Sequence, residues 1–281
     1  MAGADVYLKI ETLQPTFSYK IRGAYNAVLR LADKAHDGRP LVTASAGNHG
    51  RALAHAAREA GIRLTVYVPE NAPKTKIDAI GALGAELRFC RDYDEAEVRA
   101  KAHGASGNAL FISPYSNPDV IAGAGTVGLE ILEERPDIDT IVVPVGGGGL
   151  VSGIAIAAAG RAATVGVEVE ASSPFTHGLA SGRIVTIDVK PTLADGLAGN
   201  LDPDTVTFDI VRRLVSRIVT VSEPQLRDAI GGLVGEERLI AEGAGATATA
   251  AVLSGKVQGA VRIAAIVSGA NIDPENLRAF I

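Results

Sequence analysis

Lys20 lies in the stretch Pro15-Thr16-Phe17-Ser18-Tyr19-Lys20-Ile21-Arg22-Gly23-Ala24, just after the β-rich run Val6-Tyr7-Leu8-Lys9-Ile10. A lysine at a strand-to-helix junction stands where α/β proteins build their sites, and its amine can attack a carbonyl or move a proton. One lysine alone means little, because most lysines are simply solvated. Three further junctions change its weight: Ser45-Ala46-Gly47-Asn48-His49-Gly50, Gly146-Gly147-Gly148-Gly149 and Ser268-Gly269-Ala270-Asn271. Each follows an apolar, strand-like run directly. Together the four junctions read as one site.

Four consecutive glycines that follow a strand and open a helix leave their backbone N–H groups unblocked by side chains, at the positive end of that helix. Such a turn cradles phosphate. As a mere flexible turn it would cost several tenths of a kcal/mol per glycine in chain entropy with nothing gained. A dinucleotide site is the competing reading. Gly147-x-Gly149-x-x-Ser152 nearly fits that fingerprint, with Glu168 ending the next strand as the ribose acid, but this leaves Lys20, Asn48 and Ser268 without a role. The Ser45–Gly50 turn suits a carboxylate, held by backbone N–H groups and the Ser45 and Asn48 side chains. His49 is read as a capping or packing residue ahead of an acid–base one. His36, His55, His103 and His177 share no metal-ligand spacing, and no nucleophile elbow is present.

The elements that must position these residues alternate strictly. Strands are expected at Val6–Ile10, Leu41–Thr43, Leu64–Val68, Glu86–Phe89, Leu110–Ile112, Thr140–Val143, Thr164–Val169, Arg217–Val221 and Arg262–Val267. Helices are expected from Ser18 (as N-cap) to Ala35, and at Asn48–Ala60, Pro73–Leu83, Asp94–His103, Val120–Glu134, Gly149–Arg161, Glu223–Arg238 and Ala244–Ser254. This is an α/β chain with mostly parallel sheets flanked by helices, and Ser172–Asp204 reads as a surface excursion. With 281 residues, 47% hydrophobic and 21% charged, the chain buries a sizeable core in one large or two modest domains. A net charge of −5 without a Lys/Arg cluster speaks against nucleic acid. One cysteine, Cys90, fits a buried thiol in a reducing compartment. The first residues lack the regions of a signal peptide, and the longest small-apolar run, Gly149 to Gly160, is too short to span a bilayer. The expectation is a cytoplasmic protein.

The motif Gln14-Pro15-Thr16-Phe17-Ser18-Tyr19-Lys20-Ile21-Arg22-Gly23-Ala24 resembles the lysine motif of the threonine dehydratase and serine racemase family, the fold type II pyridoxal-phosphate (PLP) enzymes. The match continues collinearly through Ser45–Gly50, Val120-Ile121-Ala122-Gly123, Gly146–Gly149, Ala194-Asp195-Gly196, Glu242-Gly243-Ala244-Gly245-Ala246 and Ser268–Asn271. The resemblance implies two open, mostly parallel twisted sheets of the tryptophan synthase β-like kind. It implies that Lys20 holds PLP as a Schiff base, Tyr19 lies against the ring, Asn48 bonds the ring hydroxyl, Gly146–Gly149 hold the phosphate and Ser268 faces the pyridine nitrogen. Leu150, Gly196 and Glu242 join the cofactor-binding set, and Ser45, Ala46, Gly47, Asn48 and His49 the substrate-binding set. The implied reaction converts L-threonine or L-serine to a 2-oxo acid and ammonia. Residues 38–117 would form a small mobile domain, with 1–37 and 118–281 as the large one, in a homodimer that acts on a small amino acid.

Departures from the family pattern refine this picture. Serine racemases carry a serine where this chain has Ala46, and a methyl group moves no proton, which favours dehydration over racemisation. Phe17-Ser18-Tyr19-Lys20 replaces the usual Gly-Ser-Phe-Lys. Relatives carry a further helix and strand ahead of the lysine motif, and the sequence ends soon after Ser268–Asn271, as in the catabolic branch. By the same resemblance, relatives often bind a divalent cation through a glutamate and a nearby carbonyl; Glu168 and Ser172 match that place for Mg or Ca, Pro174 stands where a further acid is expected, and an ordinary exposed Glu168 is the other reading. A dehydratase of phenylserine or 3-hydroxyaspartate, a serine racemase-like enzyme and a non-catalytic PLP-binding module are the alternatives.

Overall fold

The computed structural model describes residues 3–33 and 38–280. In chain order the elements are β1 (Asp5–Ile10), α1 (Lys20–Asp33), β2 (Leu41–Ala44), α2 (Asn48–Glu59), β3 (Leu64–Pro69), α3 (Lys74–Gly81), β4 (Glu86–Cys90), α4 (Tyr93–Ala105), β5 (Leu110–Phe111) and α5 (Pro118–Glu134). They continue as β6 (Thr140–Pro144), α6 (Gly149–Ala158), β7 (Ala163–Val169), α7 (Pro174–Ser181), α8 (Thr207–Leu214), β8 (Arg217–Val221), α9 (Glu223–Gly235), α10 (Gly243–Leu253), β9 (Arg262–Val267) and α11 (Pro274–Leu277). The chain groups into two compact units: one runs up to Tyr19 and resumes at Ala124, the other is Lys20–Gly123. The expected boundaries lay after residues 37 and 117; by contacts, α1 and the start of α5 go with the second unit.

The continuous unit holds a four-stranded sheet in the order β4-β3-β2-β5, parallel throughout. Its central strands, Leu-Val-Thr-Ala and Leu-Thr-Val-Tyr-Val-Pro, are buried at every residue, as β-branched runs covered on both faces must be. The edge strand β4 is half exposed and carries the Arg88–Glu86 ion pair at 2.8 Å. Alanines at 52, 56 and 57 pack with Leu53 against Ile21, Ala24 and Val28 of α1. Short side chains let α1 and the start of α5 touch backbone to backbone: a Cβ on Gly23 would lie 2.7 Å from the Val120 carbonyl. Cys90 is buried and free.

The discontinuous unit holds a five-stranded parallel sheet in the order β1-β9-β6-β7-β8. Helix α10 is buried from Gly243 to Val252, which its run of Gly, Ala and Thr permits. Helix α9 starts with a capping box in which Ser222 and Gln225 each bond the other's backbone N–H.

Three expectations change. Ser18 does not cap α1: it bridges Gly269 in antiparallel fashion, and the helix starts two residues later. The segment after Ser172 is more ordered than an excursion, because it opens with α7, whose Phe175 is fully buried. Helix α8 was not anticipated. The last residues of the expected first helix, and His36, lie outside the described residues.

Candidate active site

Within the unit Lys20–Gly123, the predicted residues gather at the C-terminal ends of β2 and β5. Lys20 is the first residue of α1, and its Nζ donates to the Pro114 carbonyl at 2.9 Å. Ser45 follows β2, and its Oγ accepts the Gly47 N–H at 3.2 Å, which tightens the turn into α2. Gly47 is the N-cap of α2 and no side chain caps that end, so the first-turn N–H groups of Asn48, His49 and Gly50 point out of it. Gly50 has to be glycine, since a Cβ there would sit 2.2 Å from the Ser45 carbonyl. Gly47 does not: its φ is −110° and a Cβ would meet nothing within 4 Å. Ala46 packs on the core of this unit.

His49 is buried. Its Nε2 lies 3.4 Å from the Ile112 carbonyl, and its Nδ1 has no protein partner. Burial, with the Lys20 charge adding to it and the Ile112 carbonyl opposing, pushes its pKa down to about 3. The imidazole is therefore neutral at physiological pH and takes up no proton there. His55 pairs with Glu59 at 3.2 Å, His103 lies 3.4 Å from the Tyr67 hydroxyl, and His177 bonds Ser173; each is locally engaged, away from any cluster.

In the other unit, the glycine loop follows β6. The Val145 N–H closes the ladder on Val167 O at 2.8 Å, and Ser152 N–H to Gly148 O at 2.9 Å begins α6. Between them Gly148, the N-cap, adopts φ 85°. A Cβ on Gly148 would lie 2.6 Å from Phe175 Cζ and 3.0 Å from Thr207 Cβ, so glycine is obligatory there. The Gly147 carbonyl accepts from Thr207 Oγ1 at 2.8 Å. Leu150 anchors α6 in the core. Gly146 backs onto Leu197 of the short turn Asp195–Leu197, which carries Gly196.

One strand over, β9 ends at Ser268. The Ser268 carbonyl accepts the Tyr19 N–H at 3.0 Å, and its Oγ lies 3.5 Å from the Ala244 carbonyl. Buried Glu242 is the N-cap residue of α10, and its N–H donates to Gly269 O at 3.0 Å. A Cβ on Gly245 would be 2.2 Å from the Gly269 carbonyl, so this helix end and the loop after β9 meet backbone to backbone. Tyr19, Glu242 and Ser268 are thus brought together, beside the strand that delivers the glycine loop. Phe17, just ahead of Ser18, occupies the left-handed region at φ 57°.

Glu168 and Ser172 do not fit a divalent cation. The Glu168 oxygens accept the Phe175 and Thr176 N–H groups at 2.8 Å each and the Thr176 hydroxyl at 2.6 Å. Burial raises its pKa against those three donors. The Ser172 hydroxyl is engaged on both sides by Gly199, accepting from its N–H at 3.1 Å and donating to its carbonyl at 3.3 Å. Among the described residues no group of three His, Cys, Asp or Glu side chains could hold a metal ion. The cation expectation gives way to a carboxylate that caps α7.

Thr207 and Phe175, which close the back of the glycine loop, escaped the sequence reading. A Ser-Pro pair opening α7, and Asp209, Phe208, Val211 and Arg212 at helical spacing in α8, were the available signals.

The family profile described as "Pyridoxal-phosphate dependent enzyme" matches residues 1–269. The chain belongs to that family. It is 41% identical to the L-threonine ammonia-lyase of Thermotoga maritima over 277 residues, covering 97% of this chain and 69% of that protein. It is 39% identical to L-threonine dehydratase catabolic TdcB of Escherichia coli K12, covering 96% and 83%. Among solved structures, maize serine racemase matches with a TM-score of 0.90 at 33% identity, covering 98% of this chain and 85% of that one. The processed threonine deaminase isoform 2 of Solanum lycopersicum matches with a TM-score of 0.89 at 34% identity, covering 99% and 82%.

PLP is the family's cofactor, and the residues present fit it. The loop Gly146–Gly149 presents bare backbone at a helix N-terminus, as a phosphate requires. Among the described residues, no helix is long and apolar enough to cross a membrane.

Proposed function

We propose that the chain is a PLP-dependent ammonia-lyase that converts L-threonine, and L-serine, to a 2-oxo acid and ammonia. The observation that carries this reading is Lys20 at the head of α1, in one unit with a helix end that no side chain caps and a neutral His49. The identities of 41% and 39% to proteins named for this reaction support it.

Lys20 would carry the cofactor, Asn48 its ring hydroxyl, Gly146–Gly149 its phosphate and Ser268 its ring nitrogen, with Tyr19 against the ring and Leu150, Gly196 and Glu242 around it. When bound, PLP supplies an electron sink that acidifies the Cα–H of an amino acid. A hydroxyl at Ser268, unlike a carboxylate, does not hold the ring nitrogen protonated, which moderates that sink and favours elimination. The N-terminus of α2 binds the substrate carboxylate through backbone N–H groups, with the helix dipole adding to the attraction. His49 takes no proton at working pH, so the Lys20 amine is the group that removes the Cα proton. Ala46 offers no second acid–base group, which weighs against the racemase alternative despite the likeness to maize serine racemase.

The test follows 2-oxobutyrate and ammonia from L-threonine in the parent and in Lys20→Ala, with borohydride reduction and peptide mapping of the parent. The expected result is stoichiometric product from the parent, loss of at least ~10³-fold in turnover in Lys20→Ala, and the cofactor fixed to the peptide containing Lys20. Cofactor on another lysine, or turnover retained in Lys20→Ala, would overturn the reading.

A further inference from the structure

We infer that Thr207, Phe175 and Glu168 are positioning residues that brace the glycine loop from behind and aim its N–H groups at the cofactor phosphate, without a metal ion. This rests on the reading that Gly146–Gly149 hold that phosphate.

The brace has two arms. In the first, Thr207 opens α8 and donates its hydroxyl to the Gly147 carbonyl at 2.8 Å. The hydroxyl is itself held by Thr205 Oγ1, also at 2.8 Å. A trans peptide holds the Gly147 C=O and the Gly148 N–H in one plane, pointing to opposite sides of the C–N bond. Fixing the carbonyl against Thr207 therefore turns the Gly148 N–H to the side away from α8. A side chain there would block it, and Gly148 has none.

In the second arm, Phe175 fills the space behind Gly148, 2.6 Å from where a Cβ would stand, and stacks on Phe208 at 6.2 Å between ring centroids. Phe175 is the second residue of α7, and its own N–H is one of the three groups gripped by the Glu168 carboxylate at the end of β7. Glu168 thus ties α7 to the sheet and α7 keeps the ring under the loop. A helix end supplies the positive charge that a cation would otherwise bring.

The test is Thr207→Val, with Thr207→Ser as rescue, read by PLP titration of the resolved apoprotein and by the ³¹P resonance of bound PLP. The expectation is a PLP dissociation constant about tenfold weaker in Thr207→Val, the loss of roughly one hydrogen bond, with a shifted ³¹P resonance. Thr207→Ser should return both to the parent's values. Parent-like affinity and resonance in Thr207→Val would overturn the brace. Should Thr207→Val not accumulate as folded protein, Phe175→Leu, which uncovers the back of Gly148 and keeps the hydrogen bond, is read by the same two measurements to the same criterion. Gly147→Ala separates the two levels. If it moves the ³¹P resonance while Thr207→Val does not, the brace fails and the phosphate reading stands; if neither moves it, the phosphate reading fails. Magnesium added to EDTA-treated holoenzyme is expected to change neither PLP affinity nor melting temperature, and a gain in either would return Glu168 to a cation.

Discussion

The two glycines that cap helix N-termini in this protein, Gly47 before α2 and Gly148 before α6, occupy equivalent places in their units and obey different constraints. Gly148 has a positive φ and is hemmed in by Phe175 and Thr207, so the fold itself demands glycine. Gly47 has an ordinary φ and open space where a Cβ would go, so the folded chain alone would accept alanine. The difference separates two reasons for a glycine. One keeps protein out of the way of protein; the other, on the proposed function, keeps protein out of the way of a ligand.

Three experiments press on that contrast. Gly148→Ala should cost about 2–4 kcal/mol, from a left-handed alanine and from overpacking against Phe175, read as a lowered denaturation midpoint with unchanged slope. A loss under about 0.5 kcal/mol would show that the back of the loop yields. The second concerns His49, two residues after Gly47. Its folded pKa of about 3 lies below the unfolded value, so the unfolded chain binds the extra proton in between. Stability should therefore fall by about 1.4 kcal/mol per pH unit as pH drops from about 6.5 toward 3, and His49→Leu should flatten that slope. An acid limb with the same slope in both proteins would mean that His49 is not the group responsible. The smallest change is expected for Gly47→Ala, within about 0.5 kcal/mol of the parent. Its KM for L-threonine should nonetheless rise at least ~10-fold as the methyl enters the ligand's space. An unchanged KM would erase the distinction between the two glycines.

The legible parts of the molecule were those written locally. Buried strands announced themselves as β-branched runs, and Arg262–Val267 and Arg217–Val221 have the bounds expected of them. The junction glycines stood out because each cluster directly follows an apolar, strand-like run. What stayed hidden depends on partners distant in the chain. Ser18 looked like a cap until Gly269, some 250 residues on, took it as a bridge partner. Thr207 is an unremarkable threonine until its hydroxyl is found on Gly147. Glu168 looked like a cation ligand because its type and place allow it, and only the arrival of the α7 N-terminus shows which positive charge it meets. Phe17 breaks a local rule, a bulky residue at positive φ three positions before Lys20, and such breaks gather at functional sites.

The placing of β1 at the edge of its sheet, paired to β9 alone, bears on how the chain comes off the ribosome. Every residue from Asp5 to Ile10 finds its partner between Arg262 and Val267. The strand made ahead of Lys20 therefore waits, edge groups unsatisfied, until β9 has been synthesised. The Lys20–Gly123 unit needs nothing from outside that stretch to complete its own sheet. Its order of birth lets that unit mature ahead of the other, while the sheet that bears the glycine loop closes only once β9 has emerged.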